Sequence, residues 1–282
     1  MTSRLRRERF IRQVQTGLVI LAMAGLFAAA AYVLVGAAGL AVLVGTGFVM
    51  LLFLGGREIR VDTSAAKPIK PGSKPALDSI LDELTEKAGL PRKPEVYAVP
   101  TEEMNAATMG SQTKPLLFIT APMFMHLTDR ELRCIIAHEI VHLSQHDLAF
   151  FRLVMFLQIL TITVARFGWF LLLFFWPFAL TTGMQIPFAA IALVLIAPFA
   201  SILLQAALSR AREYAADLGA VELTGDAEGL AQALEKIDRS QAELWRQVLP
   251  VPQRRRNKGS ILRTHPAQDR RIAKLRELER AA

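Results

Sequence analysis

The chain has 282 residues, 52% of them hydrophobic, and a mean hydropathy of +0.33, which is more apolar than an ordinary soluble domain and puts a membrane protein first. A net charge of +8 and a pI near 10.0 raise nucleic acid as a partner, but the excess is concentrated beside apolar tracts and in the basic run 253–258. Orientation in the bilayer and attraction to anionic lipid account for that placement, so no nucleic acid is expected. Cys134 is the only cysteine, which excludes an intrachain disulfide and agrees with a reducing compartment.

The first 12 residues form a basic N-terminus with Arg4, Arg6, Arg7, Arg9 and Arg12. Residues 13–56 then carry no charge, and neither do residues 167–209. A membrane-spanning helix needs about 20 apolar residues, so each tract has room for two crossings. Two helical hairpins are expected, 13–56 and 151–209, turning near 35–39 and near 181–185. Arginines flank both tracts, and the positive-inside rule therefore puts both termini and the segment between the hairpins in the cytoplasm. Arg166 sits near the start of the second tract, where it snorkels at the interface or marks where a helix meets lipid. The first tract continues beyond the length of a signal peptide, so no cleavage is expected.

The polar sequence falls into two pieces, 57–150 and 210–282, expected to be two halves of one catalytic domain. Leu77, Ile80, Leu81, Leu84 and Ala88 recur at helical spacing before Gly89 and Pro91, the pattern of an amphipathic helix. "EVYAV" at 95–99 and "LLFIT" at 116–120 read as short strands, with "NAATMG" at 105–110 between them as strand or loop. Thr128 and Glu131 have capping-box spacing, so a helix starts at Thr128 and continues through "CIIAHEIVHLSQHD".

On that helix His138 and His142 lie one turn apart on one face, and Glu139 reaches the same point from the side. Two imidazoles supply two of the three protein ligands of a hydrolytic zinc, and the glutamate takes a proton from the polarised water and passes it to the leaving amine. A plain helix with histidines is the bland alternative, and the third ligand decides between them. His146 continues the helix without the glycine turn of a metzincin and is a poor ligand. Glu213 on a later helix can complete the set, with Asp217 one turn on to hydrogen-bond a ligand histidine and fix its tautomer; an acid flanked by arginines on a solvated face is the bland alternative. Cys134 reads as a buried small hydrophobe. Thr264 and Pro266 fit the start of a final helix, and His265 between them is a candidate donor to the oxyanion of the transition state.

"AHEIVHLSQHD" followed after an apolar tract by "SRAREYAAD" resembles the HtpX-type membrane zinc metalloproteases, relatives of the CaaX prenyl-protein endopeptidases. "MNAATMG" and "RTHPAQDRRIAKL" are similar to two further segments of that family, and the likeness runs from about residue 95 to 275. The resemblance implies His138, His142 and Glu213 as ligands of one Zn²⁺ per chain and Glu139 as general base. It implies an α-helical membrane protein with an α+β zincin-like catalytic domain and four transmembrane helices in two hairpins. It also implies endoproteolysis of damaged or misfolded membrane proteins at the cytoplasmic (inner) membrane, the active site facing the cytoplasm. Asn105 and Gly110 then border the cleft, where an extended substrate pairs with a sheet edge. No phosphate-binding Gly-x-x-x-x-Gly-Lys-Ser/Thr loop is present, so the activity is expected to be ATP-independent. A processing protease for lipid-anchored chains is the enzymatic alternative. A zinc-stabilised scaffold is the other, disfavoured because structural zinc usually takes four ligands, often cysteines.

Overall fold

The computed structural model describes residues 2–55, 66–145, 147–183, 188–248 and 268–280. The chain divides into two compact units, each drawn from separated segments: unit 1 comprises Met1–Arg12, Glu58–Leu148 and Arg212–Ala282, and unit 2 comprises Gln13–Arg57 and Ala149–Ala211.

Unit 2 is helical. Helix α1 (Thr2–Gly55) departs from helical geometry at Gly36 (φ 68°, ψ −170°), inside the stretch where the sequence predicts a turn. Helix α5 (Asp147–Thr182) ends before Gly183, whose φ is 71°, and helix α6 begins at Phe188 and runs to Thr224. Gln185, in the second expected turn, lies outside the described residues. Among those residues three segments are long and apolar enough to cross a membrane, Val14–Val33, Leu153–Phe174 and Ile191–Thr224. Phe27, Ala30, Ala31, Val164 and Ala197 form one core, and Met23, Val154, Leu157 and Leu208 another. Alanines at several of these positions let helices approach closely where packing is the main source of cohesion. Leu21, Leu173 and Phe188 are 69%, 74% and 82% exposed, the inverse of a water-soluble bundle. Arg166 is exposed within the second of the three segments.

Unit 1 is built around a four-stranded sheet of order β1-β2-β4-β3, formed by β1 (Lys67–Pro68), β2 (Glu95–Val99), β3 (Ala106–Ser111) and β4 (Lys114–Thr120). β2 runs parallel to β4, while β3 pairs antiparallel with it through a tight hairpin and forms one edge. Gly110 has φ 90°, and a Cβ there would lie 2.2 Å from the Lys114 carbonyl oxygen, so this hairpin requires glycine. Period-two alternation puts Pro115, Leu117 and Ile119 of β4 in the core.

Helix α2 (Pro75–Lys87) buries Leu77, Ile80, Leu81 and Leu84, the stripe its spacing predicts. The short α3 (Ala121–His126), absent from the sequence reading, leads into α4 (Asp129–Ser144). Thr128 caps α4 in a capping box: its hydroxyl accepts from the Glu131 amide, and the Glu131 carboxylate accepts from the Thr128 amide. Ile136 and Ile140 of α4, with Leu230 and Leu234 of α7 (Ala227–Val248) and Leu275 of α8 (Gln268–Arg280), share one core with α2 and the sheet.

The sequence predicts that α4 continues to His146. It stops at Ser144 because its last carbonyls find partners elsewhere: Gln112 Nε2 donates to the oxygens of both Leu143 and Ser144 at 3.1 Å, and Arg212 Nη2 to that of Gln145 at 3.4 Å. His146 itself lies outside the described residues.

Candidate metal centre

Positions 138 and 142 of α4 face the same point of unit 1. The Nε2 atoms of His138 and His142 are 3.2 Å apart, with the rings edge to face. Glu213 on α6 brings Oε2 to 3.6 Å from His138 Nε2, and one donor atom from each of the three residues falls within 4.8 Å of the others. Gly219 permits this approach of α6 to α4, since a Cβ there would meet the Val141 methyls at 2.7 and 2.8 Å. A tetrahedral ion with bonds of about 2.0–2.1 Å needs donors about 3.3 Å apart. The 3.2 and 3.6 Å separations fit that figure, and two imidazoles with a carboxylate are a suitable donor set for a divalent ion.

Asp217, one turn after Glu213, places Oδ1 3.1 Å from His138 Nδ1, at hydrogen-bonding distance although the angle leaves that nitrogen without an aligned bond. Burial disfavours the His138 cation, but Asp217 and Glu213 outweigh it and raise the pKa to about 9. Burial and the neighbouring His138 push His142 down to about 4.

Glu139 is half-buried and held by the edge strand. Its Oε2 accepts the Thr108 amide at 2.9 Å and the Thr108 hydroxyl at 3.2 Å, and the same hydroxyl lies 3.3 Å from the Glu139 carbonyl oxygen. Asn105 and Gly110 lie on either side of Thr108. The exposed Asn105 exchanges backbone bonds with Thr120, its amide donating to Oγ1 at 2.9 Å and its carbonyl accepting from the amide at 3.0 Å. Gly110 shapes the hairpin. His265 lies outside the described residues.

Two participants escaped the sequence reading. Thr108 sits inside "NAATMG" but had no distinguishing chemistry until the strand brought it to Glu139. Arg271 on α8 is the other, 5% exposed. Its Nε and Nη2 grip Asp217 Oδ2 and Oδ1 at 2.7 and 2.6 Å, and its Nη1 lies 2.9 Å from Glu213 Oε2. A signal existed: two acids one turn apart beside histidines need a cation if buried, and Arg271 shares a helix face with the apolar Leu275.

Residues 71–279 match the model of Peptidase family M48. The chain is 34% identical over 236 residues to a protease HtpX homolog of Paenarthrobacter aurescens (strain TC1), covering 78% of each chain. It is 30% identical over 287 residues to a protease HtpX homolog of Nostoc punctiforme, covering 95% of this chain and 96% of the relative. The crystal structure of S. mikatae Ste24p shares the fold, with a TM-score of 0.52 and 16% identity over 96% of this chain and 66% of that one. The matched family spans the capped helix, the edge strand and both acids of α6, and the chain thus belongs to peptidase family M48 as a membrane metalloprotease of the HtpX type.

Proposed function

We propose that the protein is a zinc-dependent, ATP-independent endopeptidase of the cytoplasmic membrane that cleaves misfolded or damaged membrane proteins, with its active site in the cytoplasm. The convergence of His138, His142 and Glu213 donor atoms within 4.8 Å, with Glu139 fixed beside them, carries this reading. His138, His142 and Glu213 would hold the zinc, which would supply Lewis acidity and the means to activate water at neutral pH. Glu139 accepts the proton of that water and returns it to the leaving amine. Thr108 restrains Glu139 through Oε2, so the base does not need to be oriented during the reaction. Asp217 orients His138 through Nδ1. β3 is an edge of its sheet, and an extended substrate lies along it near Thr108, between Asn105 and Gly110.

In this reading the two soluble pieces form one catalytic domain, and α1 crosses the membrane twice with its turn at Gly36, giving four spans in all. The break in α1 at Gly36 supports this. The test is purification in detergent, metal analysis, and digestion of casein or a membrane protein with and without chelator. One zinc per chain and chelator-sensitive cleavage are expected, with Glu139→Gln keeping the zinc and losing cleavage. Zinc without any turnover in the wild type would favour a scaffold, and loss of metal from Glu139→Gln would remove Glu139 from the role of base.

A further inference from the structure

The ring formed by His138, Asp217, Arg271 and Glu213 is closed by shared atoms. Asp217 Oδ1 stands between His138 Nδ1 at 3.1 Å and Arg271 Nη2 at 2.6 Å, and Glu213 Oε2 stands between His138 Nε2 at 3.6 Å and Arg271 Nη1 at 2.9 Å. All three guanidinium nitrogens are engaged, and all four side chains are buried, from 3% to 6% exposed. We infer that Arg271 is a positioning residue of the metal centre, holding Glu213 as a ligand and Asp217 as the orienting partner of His138. This rests on the ligand assignment proposed above.

Two negative charges are buried side by side here. Glu213 and Asp217 lie one helical turn apart, and buried carboxylates persist as anions only when paired and hydrogen-bonded. Without the guanidinium that grips both, nothing on α8 holds the two carboxylates in place, and one of them swings toward water. A displaced Glu213 no longer meets the two histidines, and a displaced Asp217 no longer aligns the His138 ring. The opposing effect is repulsion between the guanidinium and a bound cation. A carboxylate oxygen has two lone-pair directions, so Arg271 occupies one and leaves the other for a metal. Lysine cannot replace it, because a single ammonium does not reproduce a planar fork spanning two acids.

The test measures the zinc dissociation constant of the full-length protein in detergent by competition with a chromogenic chelator, at a temperature where circular dichroism shows each variant folded. Arg271→Met is expected to weaken zinc by about 10–100-fold, the range for partners that orient a ligand, and Arg271→Lys by an intermediate factor. Adding Arg271→Met to Asp217→Asn is expected to change the constant by less than about threefold beyond the weaker single variant, since both act on one unit. Leu275→Ala, which removes only packing of the same helix, is expected to lower thermal stability with zinc affinity unchanged. An unchanged or tighter constant in Arg271→Met, or equal weakening in Leu275→Ala, overturns the inference. If Arg271→Met does not fold, Arg271→Lys decides: wild-type affinity overturns the inference, and weakened affinity in a folded protein supports it. Wild type and Glu213→Ala are measured alongside. A wild type that takes no zinc, or a Glu213→Ala that keeps it, sinks the ligand assignment and this inference with it. Normal behaviour of both with an unaffected Arg271→Met sinks this inference alone.

Discussion

Thr108 holds Glu139 by both its amide and its hydroxyl, and only the second depends on the side chain. Thr108→Val keeps the shape and the backbone bond while removing the hydroxyl bond to a charged acceptor, a type of bond contributing about 1.5–3 kcal/mol. With the amide still in place the lower end applies, and kcat is expected to fall about tenfold with KM and zinc content near wild type. A KM effect with kcat preserved would show that Thr108 serves substrate binding instead. The contrast between Glu139 and Arg271 explains what was legible in the amino-acid order. Glu139 is adjacent to a histidine pair whose i,i+4 spacing is itself a geometric statement. Arg271 acts on an acid 54 residues away, a relation that no local pattern encodes. Cys134 matches its expectation as a small core residue: it is 1% exposed, and burial, reinforced by Asp226, pushes its thiol up to about 12.

At the level of elements, two joints set the architecture of unit 1. The first is Gly219 against Val141. Gly219→Ala gains about 1 kcal/mol of helix propensity but forces atoms together in a packed core, which costs about 1–3 kcal/mol. A net loss in thermal stability is expected, and adding Val141→Ala should leave the double variant at least about 1 kcal/mol more stable than the summed single losses. Simple additivity would mean that α6 shifts without cost. The second joint ties α2 to α4 through Glu83, which receives Arg133 Nη2 at 2.6 Å and Lys87 Nζ at 2.6 Å. Arg133, then Lys87, lowers the Glu83 pKa from 4.5 to about 2 against a smaller effect of burial. A depressed carboxylate stabilises the fold above its unfolded pKa and loses that contribution as pH falls through the folded one. The difference in melting temperature between wild type and Glu83→Gln should therefore be constant above about pH 5 and shrink toward zero by about pH 2. A difference that persists at pH 2 would show packing, not charge. α2 and α4 were legible because each carries a clear apolar period between start and stop signals. The end of α4 was not, because Gln112 and Arg212, which satisfy its last carbonyls, come from other elements. α3 has only six residues, too few for a period to emerge.

For the molecule as a whole, the apolar tracts were read from length and absence of charge alone, and three of the four expected spans meet those criteria among the described residues. Sidedness depends on the arginines at the tract ends. Cysteines placed in 35–39 and 181–185 of a Cys134→Ala variant should react with an impermeant thiol reagent in intact cells, whereas one at residue 70 should react only after lysis. The reverse pattern would put the proteolytic site on the other side of the membrane. The order of parts along the chain has a further consequence. His138 and His142 are made first, Glu213 and Asp217 follow after α5, and Arg271 arrives only after α7. A polypeptide still emerging from the ribosome thus holds its histidines and acids before the guanidinium that fixes them. The full set of contacts at the metal centre, in which Arg271 grips Asp217 and Glu213, therefore exists only once synthesis has passed α8.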